Sequence, residues 1–217
     1  METKMTPLHK LPQTLLDQYK NWKATGFAAQ EAHFSELGNG QSPMAMVISC
    51  CDSRVQATEI FGVPAGSFFL HHNIANLVPP YQSDDGVGTA AAIEYAVKAL
   101  KVPHIIVMGH AQCGGVQACY DMCENDVAAA DSGFEFVGQW LETLRPAHQR
   151  VRGTGDARVV EMGHQGVLGS LDNLMGYPFV KAAVEADALH LHGAWHDFAN
   201  GTLYAYDPEA GSFTAQL

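Results

Sequence analysis

Two short apolar runs in this sequence each end in a cluster of side chains that can bind a metal. The first run, residues 44–48, leads into Ser-Cys-Cys-Asp-Ser-Arg-Val at residues 49–55. The second run, residues 104–108, leads into Gly-His-Ala-Gln-Cys-Gly-Gly at residues 109–115. Such runs predict buried strands, and the carboxyl ends of neighbouring parallel strands meet at one edge of a sheet. The two clusters can therefore meet in a parallel sheet that places these strands side by side.

The ligand types in the two clusters favour zinc. Cys50, His110 and Cys113 would supply two thiolates and one imidazole, a set that suits this ion. Three protein ligands leave one tetrahedral position open, which is typical of catalytic rather than structural zinc. A single cysteine in an apolar strand is more often an inert core residue. Two clusters at two strand ends favour instead a site that holds one zinc ion per chain.

The remaining pattern predicts an α/β fold. Helical and strand-like segments alternate along the chain, which indicates a parallel sheet. Asn200-Gly201 between two strand-like runs is a strong hairpin signal and predicts antiparallel strands near the C-terminus. We expect a single domain over residues 1–217, with a mostly parallel central β-sheet flanked by helices, a C-terminal antiparallel extension and an N-terminal helical arm in residues 1–40. The predicted helices lie near residues 11–22, from 56, 86–102, 134–150 and 159–175, and the predicted strands near 44–49, 67–71, 104–108, 188–198 and 202–207.

The net charge and the number of cysteines indicate which partners and which cellular compartment to expect. The formal net charge of −11 repels phosphate backbones and anionic membrane surfaces, so we expect neither nucleic acid nor a membrane as a partner. No apolar run approaches the ~20 residues of a membrane span, and we see no signal segment. Five cysteines, an odd number, do not indicate a disulfide framework. These features predict a cytoplasmic protein with reduced thiols. The spacing of Cys119 and Cys123 places them on one helix face, which favours ordinary helix packing over metal binding.

The ordered motifs of the chain resemble those of the β-class carbonic anhydrases, in particular the plant-like branch. Besides the two clusters, the resemblance covers Asn-Ile-Ala-Asn-Leu-Val-Pro-Pro at residues 73–80, the helical segment at residues 88–102, and Ser-Leu-Asp-Asn-Leu-Met-Gly-Tyr-Pro-Phe-Val at residues 170–180. The family pattern Cys-x-Asp-Ser-Arg makes Cys50 the first zinc ligand and leaves Cys51 at a variable position. The resemblance implies zinc-dependent, reversible hydration of carbon dioxide to bicarbonate and a proton by a zinc-bound hydroxide.

The same resemblance assigns a catalytic pair. Asp52 would accept a hydrogen bond from the hydroxide, and Arg54 would hold Asp52 through a bidentate contact so that the carboxylate does not occupy the metal. Taken alone, an acid and a base at this spacing would be a surface ion pair or a turn cap. Val47 and His72 stand where some bacterial relatives have a tryptophan and an arginine that bind bicarbonate at a second pocket. We therefore expect the open arrangement, with Asp52 paired to Arg54.

Substrate contacts and partners also follow from the resemblance. It implies that carbon dioxide and bicarbonate contact the amide of Gln41 and an apolar wall of Phe69, Ile74 and Tyr95. Taken alone, each of these positions would be assigned to the core. In the family, some wall residues come from the neighbouring subunit, which implies a homodimer or an even-numbered homo-oligomer. The apolar face of the predicted N-terminal helix fits core packing or, alternatively, an arm that lies on a neighbouring subunit: Leu11, Leu15, Leu16, Tyr19 and Trp22.

Two other functions remain open at the level of sequence. A hydrolase of carbon disulfide or carbonyl sulfide on the same scaffold would share the zinc centre and differ in access to it. A non-enzymatic module, stabilised by zinc or sensing redox state through Cys50, Cys51 and Cys113, is less favoured because structural zinc usually takes a fourth protein ligand.

Overall fold

A six-stranded sheet organises the larger of the two units into which the chain divides. The computed structural model describes residues 8–81, 86–153, 155 and 157–216, so residues 1–7 of the predicted arm lie outside the described residues. The two units are Met1–Gln41 and Ser42–Leu217.

The strands and helices are numbered in chain order. The strands are β1 (Ala45–Cys50), β2 (Phe68–Asn73), β3 (His104–His110), β4 (His190–Asp197), β5 (Thr202–Asp207) and β6 (Ser212–Gln216). The α-helices are α1 (Gln13–Trp22), α2 (Glu31–Leu37), α3 (Ala57–Ile60), α4 (Val87–Glu94), α5 (Gly114–Glu124), α6 (Val137–Leu141), α7 (Arg145–His148), α8 (Ala157–Met175) and α9 (Pro178–Glu185). Shorter 3-10 or π-helical turns lie at Lys23–Phe27, Ala28–Gln30, Ile74–Asn76, Tyr95–Leu100 and Ala129–Asp131.

The sheet is mixed and has the order β2-β1-β3-β4-β5-β6. The strand β1 pairs in parallel with β2 and β3, and β3 pairs in parallel with β4. The pairs β4–β5 and β5–β6 are antiparallel and form the C-terminal extension. The predicted fold class is thereby confirmed. The two strands that carry the metal-ligand clusters, β1 and β3, are neighbours.

The strand β1 forms the centre of the core because its residues are apolar on both faces. All its residues are buried. Since side chains alternate along a strand, Val47 packs into one hydrophobic cluster and Met46 and Ile48 pack into the other. A parallel strand covered by helices on both faces requires this continuous apolar composition.

The helix before β3 ends at a defined point and so fixes where β3 begins. The α4 helix continues through the π-helical turn Tyr95–Leu100 to Lys101, whose φ of 53° is left-handed and stops the helix. Pro103 follows two residues later and favours extended backbone before it. The chain then enters β3, whose last residue is His110.

Several details differ from the sequence-based expectations, including a β3 strand that runs on to His110. The segment 134–150 forms two short helices, α6 and α7, rather than one. The strand β6 was not predicted, because its sequence Ser-Phe-Thr-Ala-Gln has little apolar character. The strand β1 extends one residue further than expected, so Cys50 is its last residue.

The N-terminal unit is helical, as expected for the predicted N-terminal arm. Its aromatic side chains cluster around Trp22, whose ring centroid lies 5.8 Å from that of Phe27 and 5.8 Å from that of Phe34. The rings of Phe27 and Phe34 are stacked at 5.3 Å. In the part of the chain that the structure describes, no helix has the length and apolar composition to cross a membrane.

Candidate metal centre

Three ligand side chains converge at the carboxyl edge of β1 and β3. Cys50 ends β1, His110 ends β3, and Cys113 is the residue from which α5 begins. All three are buried, and their ligand atoms lie within 4.8 Å of one another. The Sγ atoms of the two cysteines are 3.9 Å apart. Among the described residues, this is the one group of three potential ligands that satisfies that distance.

The tautomer of His110 leaves one nitrogen free for a metal. Nδ1 lies 2.9 Å from the backbone oxygen of Ala111, to which it can donate a hydrogen bond. Nε2 is buried and has no hydrogen-bond partner within the protein. A buried polar atom without a partner is costly, and a metal ion would satisfy this nitrogen. Such a hydrogen bond from the opposite ring nitrogen is typical of metal-binding histidines.

The thiols of Cys50 and Cys113 shift each other's pKa in opposite directions. The hydrogen bond with the Cys113 thiol lowers the pKa of Cys50 against the opposing effect of burial, and the backbone N–H groups of Asp52 and Ala75 lower it further. The pKa of Cys113 is raised, because the adjacent Cys50 thiolate and burial oppose a second negative charge. A divalent cation would remove this conflict by neutralising both sulfurs. The donor set therefore fits zinc.

The absence of a side chain at Gly115 allows two backbone segments to approach each other beside the centre. A Cβ atom at Gly115 would lie 2.8 Å from Cγ2 of Ile74 and 3.1 Å from Cβ of Ala75. The first turn of α5 can therefore pack directly on the turn Ile74–Asn76. Ala75 has a left-handed φ of 61°, and its backbone N–H reaches the Cys50 sulfur. This close approach brings the backbone N–H groups of Gly115 and Val116 to the Cys113 sulfur and that of Ala75 to the Cys50 sulfur.

Asp52 and Arg54 form a bidentate ion pair beside the centre. Nε of Arg54 donates to Oδ1 of Asp52 at 2.9 Å, and Nη2 donates to Oδ2 at 2.7 Å. The backbone N–H of Arg54 also donates to Oδ1 at 3.0 Å. These contacts hold the pKa of Asp52 well below its usual range. The carboxylate is therefore ionised and directed toward the arginine.

Two further residues contact Arg54 on its other sides. Its Nη2 donates to the backbone oxygen of Gln112 at 3.2 Å, and its Nη1 lies 3.4 Å from Oε1 of the same residue. The ring of Phe198 lies 4.9 Å below the guanidinium carbon, a cation–π contact. Phe198 also contacts the His110 ring at 5.2 Å. Sequence reasoning missed both residues, since neither Gln112 in its loop nor Phe198 beyond β4 belongs to a periodic or charged pattern.

A groove of about 400 Å³ lies next to the carboxyl ends of β1 and β2. Its lining includes Cys51, Ile74 and Trp140 and is largely apolar. Nε1 of Trp140 donates to the backbone oxygen of Ile74 at 2.8 Å, which fixes this part of the wall. Cys51 is exposed and lies outside the ligand group, so it lines the groove rather than binding the metal.

The other predicted wall residues lie elsewhere in the chain. The rings of Phe69 and Tyr95 contact each other at 5.8 Å. Asn73 is paired with Cys50 in the sheet. Phe69 lies four residues earlier in β2, which places it about 13 Å from this end of the strand. Gln41 is exposed and is the last residue of the N-terminal unit. Within one chain, the structure thus joins Ile74 to the site but not Phe69 and Tyr95, and the roles of all these residues stay predictions.

The two remaining cysteines lie in helix packing. Sγ of Cys119 donates to the backbone oxygen of Leu141 at 3.4 Å, and burial raises the pKa of Cys119 to about 12. Sγ of Cys123 lies 3.9 Å from Nη1 of Arg145. Neither belongs to the ligand group at the sheet edge.

Comparison with known proteins identifies close similarities. The sequence model of the carbonic anhydrase family matches residues 45–203. Beta carbonic anhydrase 3 of Arabidopsis thaliana is 31% identical over 190 residues, which cover 85% of this chain and 72% of that protein. The β-carbonic anhydrase CcaA has a similar structure, with a TM-score of 0.83 and 28% identity over 94% of this chain and 98% of that one. One of two tetrameric β-carbonic anhydrases from Sordaria macrospora matches with a TM-score of 0.76 and 29% identity over 94% of this chain and 98% of that one.

Proposed function

Since the chain belongs to the β-carbonic anhydrases, the carbonate dehydratases of this fold, we propose that it hydrates carbon dioxide reversibly to bicarbonate and a proton at a zinc ion held by Cys50, His110 and Cys113. The observation that carries the proposal is the buried group of two thiols and one imidazole whose Nε2 has no protein partner. Three protein ligands leave one tetrahedral position of zinc for water. Zinc bound there would lower the pKa of that water toward about 7 and supply a nucleophile at neutral pH.

The protein's own contribution is to orient the reacting water. Asp52 is an ionised hydrogen-bond acceptor beside the ligands, because Arg54 holds its carboxylate through both oxygens. Its carboxylate can accept a hydrogen bond from the hydroxyl group of this water and thereby direct an oxygen lone pair toward the substrate. Arg54 keeps Asp52 from acting as a fourth ligand, because the carboxylate would have to break both hydrogen bonds to turn away.

The groove beside Cys51 and Ile74 supplies an apolar surface for carbon dioxide. We assign the rest of the substrate site to Gln41, Phe69 and Tyr95, with some of these residues coming from a neighbouring subunit. The Gln41 amide would orient an oxygen of the substrate, and the two rings would exclude water.

The test is carbon dioxide hydration measured by stopped flow together with zinc content per chain. We expect wild-type activity to disappear after chelation and to return with zinc. Cys50→Ser should lose zinc and more than about 99% of activity, because a hydroxyl is a much poorer ligand than a thiolate. Cys51→Ser is the matched control and should keep both zinc and most activity.

A Cys50→Ser variant with full zinc and normal turnover would refute the ligand assignment. A wild-type protein that binds one zinc yet hydrolyses carbonyl sulfide or carbon disulfide in preference to hydrating carbon dioxide would refute the assigned reaction and leave the metal centre intact.

A further inference from the structure

Three histidines form a cluster at the opposite end of the sheet from the metal centre. His104 begins β3, and His190 and His192 lie near the start of β4. His104 pairs with His190 in the parallel register, and His192 lies two residues further along the same face. Six strand residues, about 20 Å, separate His104 from His110. The cluster is therefore separate from the catalytic ligands.

Two of these imidazoles have the spacing of a metal chelate. Nδ1 of His104 lies 3.1 Å from Nε2 of His192. Two zinc–nitrogen bonds of about 2.05 Å at a tetrahedral angle place the nitrogens about 3.3 Å apart. The observed separation of the two nitrogens is within a few tenths of an ångström of this value.

The third imidazole lies next to this pair. The ring centroid of His104 lies 5.5 Å from that of His190 and 5.1 Å from that of His192. His190 and His192 are exposed, so rotation of the His190 side chain can bring a nitrogen to the same point from solvent. Oδ1 of Asp187 lies 3.9 Å from Nε2 of His190 and adds a negative charge beside the cluster.

We propose that His104, His190 and His192 form a second, surface site for a divalent transition metal, with zinc, copper or nickel as the ions that imidazole ligands suit. The net charge of −11 favours cations near the surface. Partial desolvation of the ring and the neighbouring histidines lower the pKa of His192, so this ring is neutral and able to bind at pH 7. The simpler reading of the His104–His192 contact is an N–H···N hydrogen bond, which would bind no metal.

The experiment counts zinc per chain on the zinc-loaded protein after equilibrium dialysis against micromolar Zn²⁺ at pH 7.5. We expect a second equivalent in the wild type. The double variant His104→Gln, His192→Gln should bind that equivalent at least about tenfold more weakly, since even outer-shell changes cost this much. His9→Gln is the matched control, because it removes an exposed histidine outside the cluster and should change nothing.

Two further readouts separate this site from the catalytic centre. The double variant should keep its hydration activity and its melting temperature, whereas Cys50→Ser should retain the histidine-bound zinc. With Co²⁺ as the probe, the thiolate-to-metal absorption of the first site should be present in the double variant. One equivalent in the wild type, or a second equivalent equally strong in the wild type and the double variant, would overturn the proposal.

Discussion

At the residue scale, the chemistry depends on how firmly Arg54 is held. Its guanidinium meets Asp52 on one edge and the backbone of Gln112 on another, while the ring of Phe198 covers a face. The resemblance at sequence level implied the first contact only. The second depends on a loop in which Gln112 has a left-handed φ of 56°, and the third on where the chain leaves β4. Neither can be deduced from local sequence, because both contacts join segments that are distant along the chain.

This arrangement predicts that Arg54→Lys is not conservative. Lysine keeps the charge but cannot make the two parallel hydrogen bonds to Asp52 or stack on Phe198 in the same way. We expect hydration activity to fall by at least about tenfold, which corresponds to about 1.4 kcal/mol of transition-state stabilisation, with zinc content unchanged. Arg150→Lys, at an exposed pair with Asp172, is the matched control and should leave activity unchanged. Equal turnover in Arg54→Lys and the wild type would contradict the positioning role.

At the element scale, the sequence predicted the strands that long apolar runs specify. It missed features that depend on packing between distant segments. The continuous apolar composition of β1 and β3 identified buried parallel strands and so the sheet edge that carries the ligands. The strand β6 could not be recognised in the same way, since it forms through pairing with β5 rather than through its own composition. The division of residues 134–150 into α6 and α7 likewise reflects tertiary packing over a weak helical pattern.

A partly buried histidine of the helix α8 makes the stability of the fold depend on pH. His164 packs on the ring of Trp195 from β4 at 4.6 Å and on that of Phe213 from β6 at 4.4 Å. Its Nε2 is buried without a hydrogen-bond partner. Burial lowers the pKa of His164, although Glu161, 3.9 Å away on the same helix, acts in the opposite direction. The folded protein therefore binds the proton less readily than the unfolded chain.

This difference predicts that His164 weakens the fold in acid. Above the unfolded pKa of about 6.5 the residue is neutral in both states and makes no pH-dependent contribution to the free energy of unfolding. As the pH falls through that value, the unfolded chain takes up the proton first and the free energy of unfolding decreases. His164→Phe should therefore lose less stability between pH 7.5 and 5.5 than the wild type, measured by urea unfolding at each pH. His9→Gln serves as the control, and equal acid sensitivity in His164→Phe and the wild type would exclude this cause.

At the scale of the whole molecule, one chain presents surfaces that a second copy would complete. Within the described residues, β2 pairs only with β1, so its outer edge is open to further pairing. The groove beside Cys51 opens near this edge. In the N-terminal unit, α1 has no buried residue, and Leu15, Tyr19 and Trp22 of its apolar face are exposed. Exposed apolar faces of this kind mark contacts between proteins.

We therefore predict a homodimer or an even-numbered assembly of dimers, in which Phe69 and Tyr95 complete a neighbour's substrate site. Light scattering should give a mass of at least twice the 23.4 kDa of one chain. Leu15→Lys should weaken assembly and reduce activity in the same proportion at low protein concentration, because a charge on the apolar face of α1 must be desolvated in the contact. Gln13→Lys places the same charge on the opposite face of α1 and should leave both properties unchanged. A fully active species of 23.4 kDa would contradict the shared site, since the wall residues of one chain would then suffice.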